Sequence, residues 1–191
     1  MTRPVLLDLF CGQGGAAMGY HRAGFDVVGV DLEPQPRYPF RFIQADALEF
    51  LAEHGRGFEA IHASPPCQRY SRATGNHRHE KHPDLVGVTR DLILGTGFPY
   101  IIENVPQAPL RSPVQLCGLM FPALRVIRHR DFESNLVLFA PAHPTHLGIK
   151  IGRDGFCCVV GHGDQSGTRT GLTPAERAAV RTSAAWARAM G

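Results

Sequence analysis

The sequence predicts an α/β domain built on a mostly parallel sheet with helices on both faces. Short apolar runs alternate with helical patterns through the first half of the chain. Val5–Phe10 is an apolar run ending in glycines, as expected of a parallel strand buried on both faces. Val27–Val30 ends at Asp31 and Ala60–Ala63 runs into Ser64-Pro65, the punctuation of strand ends.

The elements follow in order. Val5–Phe10 reads as the first strand and runs into glycines. Ala16–Ala23 is a helix stopped by Gly24, and Val27–Val30 a second strand ending at Asp31. Pro34, Pro36 and Pro39 enforce an irregular loop before a third strand, Phe40–Ile43. Ala47–His54 is a helix closed by Gly55, and Ala60–Ala63 a fourth strand that enters Ser64-Pro65-Pro66-Cys67. A helix over Asp84–Leu94 and a fifth strand, Tyr100–Glu103, complete the alternation. Further on, Arg125–Phe132 and Phe156–Val160 are predicted strands, and Gly161–Gly171 is glycine-rich and polar. Thr173-Pro174-Ala175-Glu176 is a helix start, with a cap, a first-turn proline and a glutamate three residues after the cap, and predicts a helix to Met190. No repeat and no linker divides residues 1–191, so one domain is expected.

Composition narrows the function classes. The chain is 43% hydrophobic, a globular value, and no apolar run approaches the ~18 residues of a membrane span. Its first residues lack a secretory signal, and a cytoplasmic protein is expected. The net charge is +3, and all basic residues except Lys81 and Lys150 are arginine, which suits phosphates and base edges. The five cysteines contain no CxxC pair, which argues against a disulfide framework and a structural zinc site. A metal shared by Cys157, Cys158 and His162 is considered, but buried small residues are the better reading, and no metal is expected.

Three sites carry chemistry. Phe10-Cys11-Gly12-Gln13-Gly14-Gly15 joins a strand to a helix, where glycines let a ligand approach backbone N–H groups at the helix N-terminus. Asp31 ends the next strand, where an acid grips a ribose diol. The same loop fits a dinucleotide pattern, so on this motif alone an NAD-dependent dehydrogenase fits as well. Cys67 follows two prolines at the C-terminal edge of the fourth strand, where open α/β sheets bind ligands, and a thiol held there can act as a nucleophile. Glu103, in Tyr100-Ile101-Ile102-Glu103-Asn104-Val105, arrives at the same edge and can hydrogen-bond a heteroaromatic ring under attack.

DLFCGQGG, SPPCQ and ENV, in this order and spacing, resemble the cytosine-C5 DNA methyltransferases over roughly residues 4–135. The nearest likeness is to the short DNA-methylase-like proteins of actinobacterial phages. The resemblance implies a Rossmann-like methyltransferase fold and S-adenosylmethionine as cofactor. It places Phe10, Gly12 and Gly14 around the cofactor's methionine part, Asp31 on its ribose and Asp46 near its adenine, with Gly15 and Pro65 also among the cofactor-binding residues. It makes Cys67 the nucleophile that adds to cytosine C6, and Glu103 the contact to N3 and the exocyclic amine. Arg128-His129-Arg130 matches the family's Arg-x-Arg element, which helps hold the base and the catalytic loop.

The expected partner is DNA presenting a flipped or unpaired cytosine. Gln68, Arg69, Arg72, Arg78 and Lys81, in a stretch that is basic from Arg69 to His82, are the expected nucleic-acid contacts. Residues 1–135 then form the cofactor-binding and catalytic core, and 136–191 a reduced target-facing segment with little or no recognition domain, which predicts low sequence specificity. Val126 stands where the family usually has glutamine. Two alternatives stay open: a cytosine C5 modifier of RNA or free nucleotides, and a catalytically weak DNA-associated subunit that keeps the fold. A transferred group larger than methyl also stays open.

Overall fold

The structure, a computed structural model, describes residues 2–71, 76–121, 123–124, 126–147, 149 and 157–158. The chain alternates β1 (Val5–Leu9), α1 (Gly15–Arg22), β2 (Asp26–Asp31), β3 (Arg41–Gln44), α2 (Ala47–His54) and β4 (Ala60–Ala63). It continues with α3 (Val86–Leu94), β5 (Tyr100–Asn104), β6 (Val114–Cys117), β7 (Val126–Ile127), β8 (His129–Ser134) and β9 (Cys157–Cys158). By contacts it groups into two compact units, Met1–Val114 with Asp131–Leu138, and Gln115–Arg130 with Phe139–Gly191.

The main sheet has the order β3-β2-β1-β4-β5-β8-β6, and β7 pairs with β9 in a second, two-stranded sheet. Strands β1 to β5 run parallel, and β8 turns antiparallel against β5 in the register Glu103↔Phe132 and Asn104↔Asp131. Burial explains the apolar runs. Leu7, Leu9, Val30, Ile61, Ala63 and Ile102 pack with Leu51 of α2 and Ile93 of α3 in one cluster. Leu6 and Val27 pack with Ala17 of α1 and Tyr38 in another. The central strands are therefore covered on two faces, the condition that parallel pairing requires.

Several boundaries depart from the sequence expectation. β5 extends one residue, because Asn104 is still paired with β8. α3 begins at Val86 rather than Asp84: Asp84 spends its carboxylate on the Tyr70 hydroxyl, and the helix starts from Leu85 without a side-chain cap. The expected strand Arg125–Phe132 is two strands, broken at Arg128. β6 was not expected, since Val114-Gln115-Leu116-Cys117 is too short and mixed to stand out. The predicted helix 173–190 and the glycine-rich stretch 161–171 lie outside the described residues, as does most of the 156–160 strand. Among the described residues no helix is long and apolar enough to cross a membrane.

Candidate active site at the carboxyl edge of the sheet

The turn after β1 is built from unusual backbone. Gly12 and Gly14 have φ of +49° and +85°, and Phe10, which carries a side chain, has φ of +56°. A non-glycine residue in this region costs about 1–3 kcal/mol and persists only where its surroundings enforce it. Gly14 is confined from outside too: a Cβ there would meet the Pro39 ring at 2.7 Å and the Tyr38 ring at 3.1 Å. Gly14 caps α1 with no side-chain hydrogen bond, so the first-turn N–H groups carry no protein cap. Asp31, at the end of β2, accepts the Gly12 N–H at 2.9 Å through one oxygen and the Glu33 N–H at 3.1 Å through the other. A carboxylate has about four acceptor positions, so a diol can still bind to it. Gly15 is exposed beside this turn.

Asp46 caps α2, accepting from the N–H groups of Leu48 at 2.8 Å and Glu49 at 3.1 Å. This role needs no cofactor. Asp46→Ala should lower stability by about 1 kcal/mol, whereas Asp46→Asn should keep most of the cap, as urea denaturation will report. An unchanged midpoint in Asp46→Ala would show that the cap carries no stability.

β4 leads into Ser64-Pro65-Pro66-Cys67. The Ser64 N–H donates to the Leu9 carbonyl at 3.1 Å, which carries the β1–β4 pairing one step beyond the strand. Pro65 is buried and Cys67 half-buried. The Cys67 carbonyl accepts the Tyr70 and Ser71 N–H groups at 3.0 and 2.9 Å, closing a turn directly behind the thiol. The register Ala63↔Ile102 puts Glu103 level with the start of this loop. Asn104 joins the two motifs: its buried side-chain amide donates to the Pro65 carbonyl at 2.9 Å while its oxygen accepts the Val105 N–H at 2.9 Å. Cys67 and Glu103 thus sit on adjacent strand ends locked by Asn104, a residue quoted in the motif but given no role from sequence.

A second feature was not legible as a site. Asp8 and His62 are register partners in β1 and β4, both buried, with Asp8 Oδ1 2.8 Å from His62 Nδ1. The Tyr38 hydroxyl donates to the other Asp8 oxygen at 3.2 Å, and His62 Nε2 lies 3.4 Å from the Ser64 hydroxyl. Gly29 makes room for Tyr38, since a Cβ there would fall 2.3 Å from its ring. The signal was present as two polar residues inside apolar strands, VLLDL and AIHA. Burial, then Asp8 and Asp31, push the Cys11 thiol far above its usual range, so this second cysteine of the region stays protonated.

Of the expected nucleic-acid contacts, Gln68 and Lys81 are exposed. Arg69 is turned inward in part: its guanidinium donates to the His82 carbonyl at 3.2 Å and lies 3.9 Å from the Asp84 carboxylate. Arg72 and the side chain of Arg78 lie outside the described residues. Arg128 and Arg130, both half-buried, belong to the unit Gln115–Arg130 with Phe139–Gly191, Arg128 between β7 and β8 and Arg130 in β8.

A type II methyltransferase of Xanthomonas oryzae, M.XorII, is 32% identical over 125 residues, covering 55% of this chain and 29% of that protein. The type II methyltransferase M.FnuDI of Fusobacterium nucleatum is 32% identical over 75 residues, covering 36% of this chain and 22% of that protein. The chain is distantly and partially similar to type II DNA methyltransferases. It spans less than a third of the length of these curated relatives. Both are bacterial, and they bear on the DNA-methyltransferase part of the resemblance, not on its phage part. No family model matches. Among solved structures, the Entamoeba histolytica methyltransferase EhMeth aligns with a TM-score of 0.50 at 13% identity, over 76% of this chain and 58% of that one. The likeness is one of fold, a mostly parallel seven-stranded α/β sheet, here with β8 antiparallel to β5.

Proposed function

We propose that this protein transfers a methyl group from S-adenosylmethionine to C5 of cytosine in DNA through a covalent adduct of Cys67 with cytosine C6. The observation that carries the reading is the hydrogen bond from Asn104 to the Pro65 carbonyl, which holds the Pro-Pro-Cys turn and the strand end bearing Glu103 as one piece. The partial likeness to type II DNA methyltransferases supports DNA as the substrate.

The turn at Phe10–Gly15 fits the cofactor. Gly12 and Gly14 supply positive-φ backbone, the uncapped start of α1 supplies donors, and Asp31 supplies an acceptor for a ribose diol. S-adenosylmethionine supplies an electrophilic methyl on a sulfonium. Asp46, Pro65 and Gly15 are the remaining candidates around it.

The chain's own residues make C5 reactive. The Cys67 thiolate adds to C6, and the electron pair of the C5–C6 double bond moves to C5 and, through the ring, toward N3. Glu103, by hydrogen-bonding N3 and the exocyclic amine, stabilises that redistribution, a contribution greatest in the transition state. A sulfonium methyl held at the Phe10–Gly15 turn would be the electrophile for this C5 electron pair, its carbon–sulfur bond breaking to leave a neutral thioether. Loss of the C5 proton to a base restores the double bond and expels the Cys67 thiolate. Arg128 and Arg130 are proposed to support the base and the loop on the strength of the Arg-x-Arg resemblance alone. Gln68, Arg69, Arg72, Arg78 and Lys81 are proposed as DNA contacts that add affinity without sequence information. Low sequence specificity remains part of this reading, and bisulfite sequencing of a random DNA pool reads it directly.

The decisive experiment is trapping. DNA containing 5-fluorocytosine cannot release its C5 substituent as a proton, so the enzyme should remain covalently attached in the presence of S-adenosylmethionine. Mass spectrometry of nucleosides from ordinary DNA should show 5-methylcytosine. Adducts with RNA and not DNA would move the substrate, and tight cofactor binding without any adduct would leave a fold-retaining subunit instead.

Asp31→Ala should weaken S-adenosylmethionine binding by ~1–3 kcal/mol, the scale of hydrogen bonds to a charged group. Calorimetry should show this while the unaltered protein leaves NADH unbound. Tight NADH binding would revive the dehydrogenase reading of the glycine loop.

A further inference from the structure

The second unit brings together four side chains of metal-ligand type that methyl transfer does not use. Cys117, His129, His143 and His146 each offer one ligand atom, and these atoms all lie within 4.8 Å of one another. Two of the separations are short: His129 Nε2 to His143 Nε2 is 3.0 Å, and Cys117 Sγ to His146 Nε2 is 3.4 Å. The three imidazoles face one another with ring centroids 4.9 to 5.2 Å apart. All four residues belong to the unit Gln115–Arg130 with Phe139–Gly191.

We propose that these four residues form a tetrahedral divalent-metal site that takes zinc. Zinc bonds of about 2.0–2.1 Å to imidazole nitrogen and 2.3 Å to thiolate imply ligand–ligand separations of about 3.3–3.6 Å for one sulfur and three nitrogens in a tetrahedron. The His129–His143 separation of 3.0 Å falls just short of that range and the Cys117–His146 separation of 3.4 Å lies within it, while pairs near the 4.8 Å limit of the cluster would draw in by about 1 Å on binding. One thiolate with three imidazoles is a donor set that suits zinc and repels hard cations such as magnesium and calcium. Four protein ligands leave no open position, so the site is structural rather than hydrolytic.

The fold prepares this meeting. Cys117 ends β6 and is buried, and His129 opens β8. The Gly118 N–H donates to the Arg128 carbonyl at 3.2 Å, so the residues just after Cys117 and just before His129 are directly bonded. Gly118 is needed there, because a Cβ would fall 2.1 Å from the Val126 carbonyl oxygen. His143 and His146 come from one short turn, His143-Pro144-Thr145-His146, followed by the Ile149 N–H donating to the His146 carbonyl at 3.3 Å. A cation makes four favourable bonds here and staples the turn at 143–146 to the β6–β8 connection.

The test of this site reads metal rather than activity. The full chain, purified without chelator, should contain one zinc per molecule by plasma mass spectrometry. After removal and titration with cobalt(II), it should show the intense visible bands of tetrahedral cobalt and a thiolate-to-cobalt charge-transfer band in the near ultraviolet. Cys117→Ser should remove the charge-transfer band, and His143→Ala should reduce zinc content at least tenfold, while His54→Ala leaves both unchanged. The cobalt spectrum of the unaltered chain does not depend on any variant folding. Substoichiometric zinc with an octahedral cobalt spectrum would overturn the site, as would a charge-transfer band that persists in Cys117→Ser.

Discussion

Cys67→Ser is expected to abolish methyl transfer while leaving S-adenosylmethionine affinity within twofold of the unaltered protein. Serine keeps the size of the side chain, so the turn closed by the Tyr70 and Ser71 N–H groups on the Cys67 carbonyl should persist. The hydroxyl has almost no anion at neutral pH, so addition to C6 fails, and a loss of roughly 10⁴-fold or more is the scale for removing a covalent nucleophile. Cofactor binding should survive because the Phe10–Gly15 turn and Asp31 are anchored elsewhere, through Gly12 and the Val30 carbonyl. Tritium transfer from labelled S-adenosylmethionine to DNA measures the first quantity and calorimetry the second. The readout also separates Cys67 from Cys11, whose burial beside Asp8 and Asp31 holds its thiol protonated. Turnover near that of the unaltered protein would remove Cys67 from the mechanism. Cofactor binding lost together with turnover would mean that the Pro-Pro-Cys turn supports the cofactor site.

How much of this was legible in the sequence differs from element to element, for physical reasons. β1, β2 and β4 are strands buried on both faces, so apart from residues such as Asp8 and His62 they are mostly apolar and stand out against glycine and proline. α2 and β4 match their expected bounds because Asp46 and Gly55 mark the helix and Pro65 the strand end. β6 and the break at Arg128 escaped notice, since a four-residue strand with an exposed glutamine has no periodicity to read. The start of α3 was misplaced because Asp84 looks like a cap but answers to Tyr70 instead. At the site, Cys67, Glu103, Asp31 and the glycines were visible as motifs, whereas the link from Asn104 to Pro65 is a tertiary contact that no local pattern announces. The Cys117 cluster was hidden for a similar reason. Its ligands come from three separate segments with no CxxC spacing, and only folding brings them together.

Breaking the ion pair between Arg90 and Glu133 should be the most damaging single change to stability. Arg90 on α3 donates to Glu133 of β8 through both Nε and Nη2, at 2.6 and 2.7 Å, with both side chains almost wholly buried. The remaining acceptors of Glu133 take the Arg111 N–H at 2.7 Å and the Tyr100 hydroxyl at 3.2 Å. Arg90 also donates to the Pro109 carbonyl at 2.7 Å. The network ties α3, β5, β8 and the 109–111 segment together within one unit. Replacing Arg90 by methionine leaves a buried carboxylate without its charge partner, which costs about 3–5 kcal/mol. Converting both residues to apolar ones should recover much of that loss, because the desolvation penalty disappears with the charges. The pH dependence follows from Glu133. Burial alone would raise its carboxyl, but the hydrogen bonds from Arg90, Arg111 and Tyr100 outweigh this and hold it below the usual carboxylate range. Its contribution is therefore complete above the unfolded value of about 4.3 and is lost as the pH falls below that toward the lower folded value. Urea midpoints measured from pH 7 down to pH 3 should show an acid-side decline that is shallower in Glu133→Gln than in the unaltered chain. A drop of less than 1 kcal/mol in Arg90→Met, or an acid limb unchanged by Glu133→Gln, would show that β8 is held by its strand pairing and apolar packing rather than by this pair.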